Sequence, residues 1–373
     1  MSTEAELKAE GEQALSKFQE ELRRGDNNLH KRNYRDGSSY EGQISDEKRH
    51  GRGTYKFSNG DVYFGDWQND QMHGKGHYTF ANGEQYTGDF QAGAKHGSGD
   101  YSYLNGDKYS GSWVENKREG KGTLTYSNKD VYEGDFSEGL RHGKGKFTLA
   151  NGTDHYDGEW KEGKKSGHGT LILGRASYTG EWQDDKPHGN GTIIYVNQEK
   201  YNGQWRGGDK EGKGVYNYAD GAKYDGDWQN DQKHGEGAYT YANSDVYIGI
   251  WENNEQTGHG TYKFANGDVY EGGFRHGKRH GHGELKFANG DCYSGLWEEG
   301  EKHGEGIYTY ANGDNYNGAF IKGKKQGQGS YKWNEGEQYE GEWSEDMMHG
   351  TGKFTFSDGN IQQGTFVNNQ FSG

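Results

Sequence analysis

Three histidines, His276, His280 and His282, stand close together in "NGDVYEGGFRHGKRHGHGELKF", residues 266–287. Imidazoles at this density could ligate a metal ion, and the glycines between them could form a loop that cradles phosphate. Each chemistry makes a geometric demand. Zinc collects its ligands about 2 Å from the ion, usually four of them. His280 and His282 are two residues apart and could share a face, but no third ligand follows them. A phosphate loop needs a helix whose N-terminus points at the anion. Here Gly281-x-Gly283 opens "ELKF", which alternates as a strand does. What the stretch can do therefore depends on the element that holds it.

That element is a repeat. With Tyr270 as position 0, the same position is Tyr40, Tyr63, Tyr86, Tyr109, Tyr132, Tyr156, Tyr178, Tyr201, Tyr224, Tyr247, Tyr293, Tyr316 and Tyr339, and finally Gln362. The step is 23 residues, except for 24 then 22 around Tyr156. Fifteen copies fill residues 37–373. Positions 2 and 11 are glycine in all fifteen, and position 4 is Trp or Phe everywhere except Ile44. Position 10 is His in nine copies, including His280. Successive copies lie two strands, roughly 9.6 Å, apart, so a column of such histidines cannot share an ion. No metal, cofactor or catalytic group is expected.

The pattern resembles the MORN repeat, Y-x-G-x-W followed by G-x-G and a paired aromatic, over about nine-tenths of the chain. The resemblance implies a non-enzymatic scaffold. Chains made almost wholly of these repeats are similar to radial spoke head proteins of cilia and to cortical scaffolds of protists. Some family members carry a lipid kinase or lysine methyltransferase domain, and neither is found in this sequence.

The residues give the same fold class independently. Positions 0, 2 and 4 alternate, as do 13, 15 and 17, which means strand. "ANGDV" or "SNGDV" at positions 18–22 predicts a tight hairpin turn. Positions 5–12 predict a longer one, with Gly, Asp or Asn at position 7 in all but the first copy. The expected architecture is all-β: an elongated, single-layer antiparallel β-meander solenoid of 23-residue hairpins, a rod of roughly 140 Å for thirty strands. Strand pairing is expected to set position 0 against 17, 2 against 15 and 4 against 13, so that glycines form sockets for large residues across the strand.

Composition fits this picture. Only 28% of residues are hydrophobic, yet there are 10 Trp, 29 Tyr and 15 Phe, which a disordered chain would avoid. A formal charge of −15 argues against nucleic acid as partner. One cysteine, Cys292, fits a reducing cytoplasm, and no apolar run or N-terminal leader pattern points to a membrane or to secretion.

Three surfaces are candidates for partners. An aromatic face without a second layer should bind another protein, for instance an amphipathic helix, through Trp251, Tyr262, Phe264, Tyr270 and Phe274. Positions 8 and 9 carry Lys or Arg in eleven copies, among them Lys48, Arg49, Lys164, Lys165, Lys278, Arg279, Lys324 and Lys325. They predict a basic edge, opposite an acidic one at Asp61, Asp107, Asp268, Asp291 and Asp314. The basic edge suits acidic cytoskeletal proteins or, alternatively, phosphoinositide membranes. The last copy reads Ile361, Gln362, Phe366, Val367 and Phe371, and its first strand is expected to lack a following strand. Such an open edge would make a homodimer, or a heterodimer with another MORN protein.

Residues 1–25 predict an amphipathic helix: Thr3 and Glu6 form a capping box, Leu7, Leu15, Phe18 and Leu22 a stripe, and Gly25 a stop. It either caps the first hairpin or docks on another protein, with residues 26–36 as linker and half-repeat. The function expected is a rod-like cytoskeletal scaffold, in the ciliary axoneme rather than the cell cortex.

Overall fold

In each copy a two-residue turn, not the Asn-Gly segment, joins the strands of a hairpin. Both turn residues take positive φ, as at Asn230 (48°) and Asp231 (65°) or His276 (49°) and Gly277 (75°). That is the turn whose twist matches a hairpin, and Asn, Asp and Gly adopt it at least cost. In the eleventh copy it links Val269–Arg275 to Lys278–Lys286. The "ANGDV" segment is the longer connection: the Phe264 N–H donates to the Asp268 carbonyl at 2.9 Å and the Gly267 N–H to the Phe264 carbonyl at 3.0 Å. The expected assignment of short and long turns is thus reversed. The glycine at position 11 misleads, because it lies in a strand and supplies the left-handed residue of a β-bulge. Gly281 has φ 72° beside a register shift between Gly272 and Phe274.

The computed structural model describes residues 29–373 together with Gln13, Ser16, Lys17 and Glu20. The helix expected over residues 1–25 otherwise falls outside the described residues. Two compact units, Met1–Gly189 and Asn190–Gly373, divide the chain. The described residues form thirty-one strands, from His30–Asn33 to Gln370–Phe371. In the first unit each strand pairs antiparallel with the next, as from Val62–Gln68 through Gln71–Thr79 and Gln85–Gln91 to Ala94–Ser102. The second unit repeats this, as from Val246–Glu252 through Glu255–Lys263 and Val269–Arg275 to Lys278–Lys286. The fold is the all-β antiparallel meander that the alternation predicts.

The register differs from expectation by two residues. Tyr270 lies opposite Leu285 on one side and Tyr262 on the other, while Gly272 lies opposite Gly283 and Gly260. Position 17 cannot face position 0, because it already belongs to the connecting turn. A displacement of two residues keeps every side chain on its face, so the division into an aromatic and a polar face stands.

Facing glycines change how the sheet is filled. A Cβ at Gly272 would lie 2.6 Å from the Tyr270 hydroxyl, because the tyrosine ring lies over the glycine pair of its own hairpin. The ring is wholly buried, and its hydroxyl donates to the Gly273 carbonyl at 2.9 Å. Tyr270 meets Phe274 and the next copy's Trp297 edge-on, each at 5.2 Å, and Trp297 Nε1 donates to the Gly283 carbonyl at 3.2 Å. The first unit does the same, with Tyr86 between Phe90 (5.1 Å) and Trp113 (5.4 Å). Each such pair contributes about 0.5–1.5 kcal/mol beyond area burial. Rings laid flat on glycine give one sheet a core of its own.

Candidate functional site

The predicted basic edge separates into two rows with different work. Position 9 folds onto the aromatic layer. The Arg279 guanidinium stands 4.2 Å from the Trp297 ring centroid, Arg49 4.3 Å from Trp67, Lys165 4.9 Å from Trp182, and Lys325 4.6 Å from Tyr331. These cation–π contacts close the core. Burial pushes the Lys95 and Lys233 amines, at the same position, down to about 8. Position 8 is exposed and mostly ion-paired with the next copy: Lys164 with Asp184 at 3.0 Å, Lys278 with Glu299 at 2.8 Å, and Lys324 with Glu345. Lys48 is exposed. A uniform row of free cations is not what these residues form.

The acids of the other edge are staples. Asp291 accepts the Tyr308 hydroxyl and the Ala311 N–H, both at 2.8 Å. Asp314 accepts Tyr331 (2.8 Å) and the Asn334 N–H (2.9 Å), and Asp61 accepts Tyr78 (2.6 Å) and the Ala81 N–H (2.7 Å). Of these two bonds Asp107 and Asp268 keep the backbone one, to Ser127 and Ala288, because Leu124 and Leu285 stand where the tyrosine would be. In Asp245 the Ala265 N–H, and then the Tyr262 hydroxyl, hold the carboxyl below its usual range. The sequence carries a signal for this staple: an acid at position 21 recurs with Tyr at position 15 of the following copy.

Of the residues assigned to an aromatic partner face, Trp251, Tyr270 and Phe274 are 4%, 0% and 6% exposed and are spent on the core. Tyr262 and Phe264 are half-buried, with ring centroids 4.5 Å apart, and extend a ladder with Tyr239 and Tyr241. That ladder, not the buried row, is the aromatic surface a partner can touch.

The opposite face shows a second device. A carboxylate at position 3 accepts the N–H of position 12 across the bulge: Asp66 from Lys75 (3.0 Å), Asp89 from Ser98 (2.9 Å), Asp135 from Lys144 (2.9 Å) and, in the second unit, Asp227 from Glu236 (3.0 Å). The same carboxylates pair with the preceding copy's lysine, as Lys75 with Asp89 and Lys213 with Asp227, both at 2.7 Å. Four consecutive copies of the second unit lack it. They hold Ile250, Gly273, Leu296 and Ala319 at position 3, and His259, His282, Glu305 and Gln328 at position 12. Ile248 and Ile307 beside them are 46% and 43% exposed.

The histidines are dispersed. His276 lies in a turn with Nδ1 2.9 Å from Glu255, His280 sits half-buried at the bulge, and His282 is exposed. Among the described residues no group of three or more His, Cys, Asp or Glu side chains could hold a metal.

At the last copy, the strand Ile361–Val367 does have a following strand. Gln370–Phe371 turns back on it, pairing Phe366 with Phe371 and Val367 with Gln370, and the Thr365 N–H donates to the Gly373 carbonyl at 2.9 Å. The bare edge expected along Gln362–Phe366 is therefore covered over its second half, because the two-residue turn at Asn368 and Asn369 is complete. Phe366 is buried and Gln362 half-buried, while Ile361 (58%), Val367 (44%) and Phe371 (38%) are exposed.

Comparison with known proteins agrees with the repeat. The family model described as "MORN repeat" matches fourteen segments, from residues 40–62 to 339–361, and leaves the copy beginning at Gln362 unmatched. No curated protein matches the chain. Among solved structures, the wild-type TCP10 domain of Danio rerio CPAP in complex with a STIL peptide is 9% identical, covering 73% of this chain and 98% of that one at a TM-score of 0.24. An inactive virginiamycin B lyase from Staphylococcus aureus is 11% identical, covering 91% and 99% at a TM-score of 0.13. Superposition this poor carries no argument. Fourteen matched repeats do, and the chain belongs to the family of MORN-repeat proteins.

Proposed function

We propose that this protein is a non-enzymatic scaffold that presents its sheet faces to protein partners of the cytoskeleton. One observation carries the reading: the groups that could react are consumed inside the repeat. Position 9 cations stack on rings, position 21 acids hold tyrosines and backbone, and most position 8 lysines pair with the next copy. What faces outward is the half-buried ring ladder and the polar face. The finer reading is an axonemal scaffold, following the likeness of near-pure repeat chains to radial spoke heads. Exposed Ile361, Val367 and Phe371 form its contact to a second copy or to another MORN protein.

The test is location. A tagged chain in a ciliated cell should remain with the axoneme after detergent extraction. Release with the membrane fraction would contradict the proposal and return attention to phosphoinositides, which the stacked position 9 cations are poorly placed to meet.

A further inference from the structure

The four copies without the bulge carboxylate form a continuous strip on the polar face of the second unit. In the copies of Asp66, Asp89, Asp135 and Asp227 the carboxylate at position 3 accepts a backbone N–H and pairs with a lysine or arginine of the preceding copy. In the strip the acceptor and the lysine disappear together: Ile250, Gly273, Leu296 and Ala319 stand in for the acid, and His259, His282, Glu305 and Gln328 occupy position 12. The hairpin itself is unchanged. The two glycines still face each other, as Gly249 with Gly260 and Gly295 with Gly306, and the buried tyrosine hydroxyl still reaches the position 3 carbonyl, as Tyr247 to Ile250 (3.0 Å) and Tyr293 to Leu296 (2.8 Å). Four adjacent copies have therefore given up a stabilising contact of about 1 kcal/mol each and gained apolar surface at Ile248, Ile250, Leu296 and Ile307. The fold does not require that change.

From this we infer that the strip is a docking site for a basic amphipathic α-helix laid across the strands; the inference rests on the scaffold reading and names its partner. Spacing is the first argument. Equivalent residues of successive copies recur about every 9.6 Å, and residues seven apart on a helix recur about every 10.5 Å. A helix inclined by about 24° to the stacking direction brings the two into step, one heptad to each copy. The short side chain of Ala319 leaves room where the helix comes closest. Charge is the second argument. The exposed rim carboxylates Glu236, Glu271 and Glu305 are in no ion pair among the described residues, although ion pairs are frequent on this face in other copies. Residues 190–373 hold 17 Lys and Arg against 27 Asp and Glu, a charge of −10. Lysine or arginine flanking the helix's apolar stripe would find these carboxylates.

The probe is a synthetic peptide of about four heptads with leucine along one face and lysine on its flanks, titrated into the full chain by fluorescence anisotropy. Micromolar binding is expected. A peptide of the same composition without an apolar face should bind at least tenfold more weakly. Leu296→Asp combined with Ile250→Gln recreates acceptors found in other copies. It should hold or raise the thermal midpoint while weakening the peptide at least tenfold. Leu296→Gln, which copies the acceptors Gln43 and Gln204, serves if the first variant folds poorly. No binding at about 1 mM peptide, equal binding of the scrambled peptide, or binding that survives the acceptor substitutions would overturn the inference. If the peptide fails while the chain stays with extracted axonemes, the helix strip falls and the scaffold reading stands.

Discussion

A tyrosine over two glycines is the smallest unit of this fold, and it sets what each residue can tolerate. Gly283→Ala would drive a methyl group into the Tyr270 ring. The ring is held between Phe274 and Trp297 and cannot yield, so the substitution should cost about 3 kcal/mol or more. Tyr270→Phe keeps the ring and loses one hydrogen bond to the Gly273 carbonyl, about 1 kcal/mol. Urea denaturation of the two variants tests the ranking; equal losses would mean that the ring does not fill the glycine sockets. Glu271→Ser, on the exposed face one residue away, should fall within about 0.5 kcal/mol of the parent.

At the scale of the hairpin, much was legible and the remainder failed for identifiable reasons. Alternation at positions 0, 2 and 4 predicts the strand and its faces, because period two is a direct consequence of the pleat. Turn lengths and register are not given by periodicity. Gly281 looks like a turn residue but sits in a bulge, and Phe287 looks like a strand residue but begins a turn. The site was less legible than the fold. Trp251, Tyr270 and Phe274 read as binding aromatics because a single sheet seemed unable to bury them, whereas flat rings on glycine do so. The acidic edge showed only its charge because its partner lies 17 residues ahead, as Tyr262 does from Asp245. A double-mutant cycle on that pair tests the staple. Tyr262→Phe and Asp245→Ala should each cost about 1–1.5 kcal/mol, and the pair less than the sum of the two. Strict additivity would show that the hydrogen bond contributes nothing.

For the whole molecule, the titration of the core gives the clearest consequence. Burial raises the tyrosines of position 0, with Tyr109, Tyr270 and Tyr339 reaching about 12 from 10.0. A folded pKa above the unfolded one gives stability that is complete below pH 10 and is lost as pH rises through 12. Buried Lys95 and Lys233 act oppositely. Their pKa falls from 10.5 to about 8, so the unfolded chain binds more protons between those values and stability rises there. The midpoint of urea unfolding should therefore rise from about pH 8 to a maximum near pH 10 and fall steeply above it, with tyrosinate absorbance appearing together with unfolding. Gradual tyrosinate formation in a folded chain would show the rings to be accessible.

We propose that faces, not charged edges, hold this protein to its partners. Retention on detergent-extracted axonemes tests it most directly, comparing the parent with two variants. One reverses the exposed edge by Lys164→Glu, Lys278→Glu and Lys324→Glu; the other alters both faces by Tyr262→Ser, Phe264→Ser and Leu296→Asp. Circular dichroism must first show that each is folded. The edge variant should stay and the face variant should be released by at least fivefold. Release of the edge variant with retention of the face variant would contradict it.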